Sequence, residues 1–140
     1  AKEVVSGSSF GVMNFNVRLF NKYEQLSSDN VPIEISNFIK KESPEIVTIQ
    51  EYANSNDFSI SYPYQYKKLS AGKRGNGLAI FSKFKIVNSG SLDFQNSHNN
   101  AIYVDVLRND DTIRVYNVHL ESFGIKPDSV DLNLDETRSR

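Results

Sequence analysis

The run "PEIVTIQEYA" (Pro44–Ala53) decides how the rest of the chain is read. It lies between a proline and the polar, aromatic stretch "NSNDFSISYPYQ" (Asn54–Gln65), and it is short and nearly all apolar, the pattern of a strand buried on both faces. Upstream, "SSDNVPIEISNFIKKESPE" offers Asp29 or Asn30 as helix N-cap and Pro32 in the first turn. Ile35, Phe38 and Ile39 follow at helical spacing, with a stop before Pro44. This predicts an amphipathic helix of about three turns. Before it, "FGVMNFNVRLF" (Phe10–Phe20) alternates, with Met13, Phe15, Val17 and Leu19 on one face and Val12, Asn14, Asn16 and Arg18 on the other. Strand, helix and doubly buried strand in that order imply a parallel βαβ unit.

Downstream the character changes to antiparallel β. The runs "YQYKKLSA", "GLAIFSKFKIVNSGSLDF", "NAIYVDVLR" and "TIRVYNVHLES" are separated by "GKRGNG", "QNSHN" and "NDD", all turn chemistry. Consecutive hairpins are the economical reading, and with the βαβ unit they give one mixed sheet plus a helix. Residues 123–140, "FGIKPDSVDLNLDETRSR", are polar and aperiodic; they are expected to form a loop followed by the start of a truncated helix. The expectation is a single partial domain over residues 1–140.

Composition removes several classes. Sixteen Lys and Arg stand against 17 Asp and Glu, so no broad basic face for non-specific nucleic-acid binding is expected. Cysteine is absent, which removes disulfides, thiolate nucleophiles and zinc–thiolate sites together. No apolar run approaches the roughly 18 residues of a membrane helix. The start "AKEVVSGSSF" has neither a signal-peptide core nor an initiator Met, so a trimmed or processed start is expected. A soluble domain follows from this, while the compartment stays open and an exported or membrane-anchored parent fits equally well.

Polar residues collect at the strand ends. On one face of "DTIRVYNVHLES", Ile113 and Val115 are followed by Asn117, His119 and Glu121. Val12 is followed by Asn14, Asn16 and Arg18, and Val47 and Ile49 by Glu51. Neighbouring parallel strands would bring Asn16 and Glu51 together at the carboxyl edge of the sheet, where α/β folds place ligands. One carboxylate beside amide oxygens is the chemistry of a hard, water-rich cation such as Mg²⁺.

Four segments in this order resemble the endonuclease/exonuclease/phosphatase (DNase I-like) superfamily: "VMNFNVRLF", "PEIVTIQEY", "GNGLAIFSKFKI" and "VYNVHLES". The resemblance covers Val12–Ser122 and implies an α/β fold, a two-sheet sandwich with outer helices of which this chain supplies about the first half. It implies a divalent-metal-dependent phosphoesterase acting on a phosphodiester or phosphomonoester. Glu51 and Asn16 would hold Mg²⁺, with Mn²⁺ as substitute. Asn16, Arg18 and Arg74 would bind substrate, and His119 would hydrogen-bond the phosphate. Asn117, placed with His119 and Glu51 in the catalytic set, would orient His119 or line the pocket. The substrate class stays open among nucleic acid, phospholipid headgroup and inositol phosphate.

The departures are as specific as the matches. The superfamily's later Gly-Asp-x-Asn strand and near-terminal Asp-His pair have no counterpart here. Asp131-Leu132-Asn133 is rejected as the former because 11 residues after His119 are too few for a crossover connection. The alternative function is therefore a catalytically incomplete half-domain that binds a phosphate or a partner. Its inner sheet face, carrying Met13, Phe15 and Val17 or the opposite set, would then lie open and favour self-association. Each residue also has an ordinary structural reading. Glu51 could be a solvated rim carboxylate, Asn16 a turn former bonded to backbone, and His119 a buried imidazole. His98, Lys73 and Arg74 could be loop charge, Glu121 and Ser122 the start of a loop, and Tyr62, Tyr64 and Tyr66 packing rather than base-stacking groups.

Overall fold

A computed structural model of the chain describes residues 9–18, 30–69, 77–94 and 99–120. The described elements are β1 (Val12–Asn16), α1 (Val31–Glu42), β2 (Ile46–Tyr52), β3 (Tyr64–Lys68), β4 (Gly77–Ser82), β5 (Lys85–Asp93), β6 (Asn100–Arg108) and β7 (Asp111–His119). Helix α1 starts with a proline in its first turn and stops at Ser43, where a left-handed residue (φ 48°) lets the Ser43 N–H bond the Ile39 carbonyl before Pro44 ends the pattern. Ile39 is fully buried and Ile35 partly so, whereas Phe38 is 47% exposed, leaning edge-on against Phe15. No described helix is long and apolar enough to cross a membrane.

Strand β2 is central, as its apolar run requires. It pairs in parallel with β1 and antiparallel with β4, in a four-stranded sheet of order β1-β2-β4-β3. The expected βαβ unit is present. The expected single mixed sheet is not: β5, β6 and β7 form a second sheet of that order. The run "GLAIFSKFKIVNSGSLDF" breaks at Lys83–Phe84, and its two halves belong to different sheets. Ser82, fully buried, makes this corner, its hydroxyl donating to the Phe84 carbonyl while accepting from the Phe84 N–H. A corner made by a serine hydroxyl carries no Gly or Pro signal, which is why the break is silent in the pattern.

The two sheets face each other. Ile46, Leu78 and Ile80 of the first meet Ile102, Val104 and Val106 of the second in one buried layer. The opposite face of the first sheet, with Val47, Ile49, Ala79 and Phe81, buries Ile39 of α1, and Met13, Phe15 and Val17 join that side. The expectation of an open inner face is corrected accordingly. Met13, Phe15 and Val17 pack with the helix layer, and the second sheet covers the opposite set, which removes the reason given for self-association there. Tyr62 and Tyr66 are packing residues: Tyr62 meets Phe81 and donates its hydroxyl to the Pro44 carbonyl, while Tyr66 borders the inter-sheet layer.

Candidate active site

The inner layer turns polar toward one end. On β1 and β2 the register runs from Val12↔Ile46 to Asn16↔Gln50. Residues Asn14, Thr48 and Gln50 thus share the face that looks at the second sheet. The Asn14 carboxamide oxygen accepts from Thr48 Oγ1 (2.7 Å) and from Gln50 Nε2 (2.6 Å). Gln50 Nε2 also donates to Asn117 Oδ1 at 2.5 Å. Asn117 Nδ2 in turn donates to the carbonyls of Ile49 (2.8 Å) and Ala79 (2.9 Å).

Asn117 is 1% exposed, with both amide hydrogens and its oxygen engaged. With these bonds it joins β7 to β2 and β4 and fixes the strand that carries His119 two residues on. A buried, fully bonded amide network of this kind rigidifies the elements it connects.

Asn16 is exposed at the end of β1, and its Oδ1 accepts the Arg18 N–H at 3.1 Å while Arg18 takes a left-handed φ of 49°. The turn-forming reading of Asn16 is therefore realised. With one acceptor site used, the amide Nδ2 remains as the group best able to meet an anion. Arg18 stands exposed beside it.

Alternation alone does not describe Glu51. Val47 and Ile49 pack in the layer that buries α1, so a regular strand would turn Glu51 toward the helix. Between Gln50 and Tyr52 the pairing with β4 shifts register, and Glu51 itself has φ 51°. It is the extra residue of a β-bulge, a device that re-aims a side chain at a strand end. A non-glycine residue in that conformation costs about 1–2 kcal/mol. Glu51 is half-buried, and among the described residues no hydrogen bond or ion pair occupies its carboxylate.

His119 closes the inner row of β7, opposite Asn100 of β6. It is half-buried, and its Nδ1 is sealed from solvent without a hydrogen-bond partner among the described residues. A buried ring nitrogen left unpaired is uncommon in a folded protein and suits a group that meets a ligand. Lys73, Arg74, His98, Glu121, Ser122, Asp131 and Asn133 lie outside the described residues. The sequence reading missed Gln50, Thr48 and Asn14 as a connected set. Their signal was a Thr and a Gln, two apart, on the inward face of an otherwise apolar strand.

Among the described residues no three His, Asp or Glu side chains converge to hold a metal ion. The donors at this edge are one carboxylate, Glu51, and the amide of Asn16. Such a set does not suit zinc, which asks for several nitrogen or sulfur ligands. It suits Mg²⁺, which keeps most of its waters and takes one or two protein carboxylates.

Residues 13–139 match the Endonuclease/Exonuclease/phosphatase family. No curated protein matches the sequence significantly. Solved structures share the fold at low identity. TDP2 from C. elegans is 18% identical, with a TM-score of 0.61 over 93% of this chain and 42% of that one. D. rerio TDP2 complexed with single strand DNA product is 13% identical, with a TM-score of 0.61 over 91% and 52%. The mannosyl-6-phosphatase of Bacteroides thetaiotaomicron is 14% identical, with a TM-score of 0.57 over 94% and 60%. The chain spans about half the length of these structures. A sandwich of two sheets backed by a helix, with Asn16, Glu51 and His119 at one edge and a match over nearly its whole length, places this chain in the endonuclease/exonuclease/phosphatase family.

Proposed function

We propose that this chain is part of a divalent-metal-dependent phosphoesterase and supplies the binding half of its site. What supports the reading is that three polar groups stand at the same end of their strands. These are the bulged Glu51, Asn16 with its amide N–H₂ outward of a satisfied turn, and His119 with an unpartnered buried nitrogen. Glu51 holds Mg²⁺ or Mn²⁺, with the remaining lone pair of Asn16 Oδ1 as a further donor. Asn16 Nδ2 donates to a phosphate oxygen, and the guanidinium of Arg18 adds positive charge beside it. His119 hydrogen-bonds the phosphoryl group, and Asn117 keeps β7 in place behind it. Arg74 is retained as a substrate contact on its sequence position alone. The cation, when bound, supplies charge stabilisation to the phosphoryl oxygens and an oriented water. This chain's residues bind and orient the ester and stabilise its charge; none of them is assigned as the base for water.

The substrate class is proposed no more finely than a phosphate ester. Among the similar folds, one holds a single strand DNA product and another is named for a sugar phosphate. The test is hydrolysis of bis(p-nitrophenyl) phosphate with Mg²⁺ or Mn²⁺, with and without chelator, alongside Mn²⁺ affinity by electron paramagnetic resonance. Glu51→Gln is expected to weaken Mn²⁺ binding by at least the roughly 10- to 100-fold that losing an outer-shell partner of a metal ligand costs, and to remove metal-dependent turnover. Glu51-dependent Mn²⁺ binding without turnover would reassign the chain to the phosphate-binding half-domain reading. Mn²⁺ affinity indifferent to Glu51 would overturn the metal assignment.

A further inference from the structure

A bulge needs something to hold it, and here the support lies on the neighbouring strand. Gln50 pairs with Leu78 and Tyr52 pairs with Gly77, so β2 advances two residues where β4 advances one. Glu51 is the residue left over. A methyl group on Gly77 would overlap the Tyr52 carbonyl oxygen and would crowd Tyr52 C at 3.2 Å and Leu69 Cδ2 at 3.3 Å. The Gly77 backbone is not in the left-handed region, so the requirement is for space at a close backbone approach rather than for an unusual conformation.

The residues on either side of Glu51 are tied down independently. Gln50 is held by Asn14 and Asn117. Tyr52 is 4% exposed and packs edge-on against Phe58 (5.9 Å between centroids) and Phe81 (6.2 Å). The Tyr52–Gly77 pairing is therefore what forces the extra residue out of line, and the left-handed backbone of Glu51 follows from it. Among the described residues no hydrogen bond of the Glu51 side chain holds it out of the extended conformation that L-residues prefer, so that pairing is its support.

We infer that Gly77 is a positioning residue for Glu51, acting through the Tyr52 carbonyl to hold the bulge that turns the Glu51 carboxylate to the metal and phosphate. The inference rests on the proposed role of Glu51, and its test separates the two. One arm reads conformation without metal. In the Gly77→Ala protein, the three-bond HN–Hα coupling and carbon shifts of residue 51 should leave left-handed values for extended ones. Unchanged values would overturn the inference whatever the metal does. The second arm reads Mn²⁺ affinity. Gly77→Ala should weaken it about as much as Glu51→Gln, on the order of 10-fold or more. The double variant should be no weaker than Glu51→Gln alone, because both changes act on one group. Gly90→Ala is the control for strain as such, since a methyl there meets the Tyr103 ring on the second sheet; it should leave the affinity within about twofold. Additive losses, or equal losses from Gly90→Ala, would overturn the inference. Mn²⁺ affinity unmoved by Glu51→Gln would sink the metal role, and the conformational arm would then decide Gly77 alone. Should Gly77→Ala not fold, Glu51→Gly in the otherwise unchanged protein decides. A held left-handed site gains from glycine and the urea midpoint rises, whereas a lowered midpoint, as for an ordinary strand glycine, would overturn the inference.

Discussion

Two glutamates bracket strand β2, and their surroundings could hardly differ more. Glu45, just before the strand, has its carboxylate bonded to the Gly11 N–H at 2.5 Å, while its backbone N–H and carbonyl pair with Gly11 and Lys83. Around it, Tyr62 caps the Pro44 carbonyl and Lys83 Nζ bonds both Oγ and the carbonyl of Ser43. At the other end, Glu51 has a left-handed backbone and no described partner, and the same end of the strands carries Arg18, also left-handed, and His119 with an orphaned nitrogen. One end of the sheet has spent its polar groups on itself, and the other has kept them. The difference separates a carboxylate that holds the fold from one that awaits a ligand, although both read in the sequence simply as glutamate at the end of an apolar run.

Asn117 tests where the boundary between the two ends lies, and the largest stability effect is expected there. It sits next to the open end yet is bonded like the closed one. Asn117→Ala would leave Gln50 short of an acceptor and two buried carbonyls short of a donor, at a cost of about 2–4 kcal/mol in urea unfolding. Asn117→Leu, which keeps volume but not bonds, should cost a similar amount. A loss below about 1 kcal/mol in both would mean that the network is incidental, and the contrast between the ends would lose its anchor.

The same contrast marks how far the sequence could be read. Strand β1, helix α1 and strand β2 were legible because their apolar periods are strong and bounded by Pro32 and Pro44. Asn16, Glu51 and His119 were legible as strand-end polar groups. What remained hidden depends on partners distant in sequence. Alternation gives a residue's face but not the sheet it joins, so the division into two sheets at Ser82 was not visible. Glu51 was expected at this edge from alternation, yet strict alternation sends it to the helix side, and the register shift that pairs Tyr52 with Gly77 takes it out of that alternation. The amide network is silent in the sequence for the same cause: Gln50 and Asn117 are 67 residues apart.

A smaller effect is expected from Glu45→Ala. The lost hydrogen bond is exposed, so the cost in urea unfolding should be about 0.5–1 kcal/mol. Mn²⁺ affinity should stay within about twofold of the unchanged protein, against the loss expected from Glu51→Gln six residues on. A fall in Mn²⁺ affinity comparable with that of Glu51→Gln would show that the two ends are not independent and that the closed end transmits strain along β2.

The finest probe is the alkaline limb of stability, because the closed end contains a tyrosine whose ionisation is disfavoured. Burial first, and then the nearby Glu45 carboxylate, raise the Tyr62 pKa above its ordinary value of 10.0. The unfolded chain releases this proton near pH 10 while the folded chain retains it. The folded state then binds more protons than the unfolded one, and stability falls as pH rises. The contribution is complete below the unfolded pKa and is lost on the way up to the raised folded one. Tyr62→Phe should therefore lower stability near neutrality by about 0.5–1.5 kcal/mol, through the bond to Pro44, and should also flatten the decline above pH 10. Glu45→Ala should flatten it partly, since it removes the lesser of the two causes. An alkaline limb identical in Tyr62→Phe and the unchanged protein would mean that Tyr62 ionises as it would in the unfolded chain. The closed end would then be less closed than its hydrogen bonds suggest.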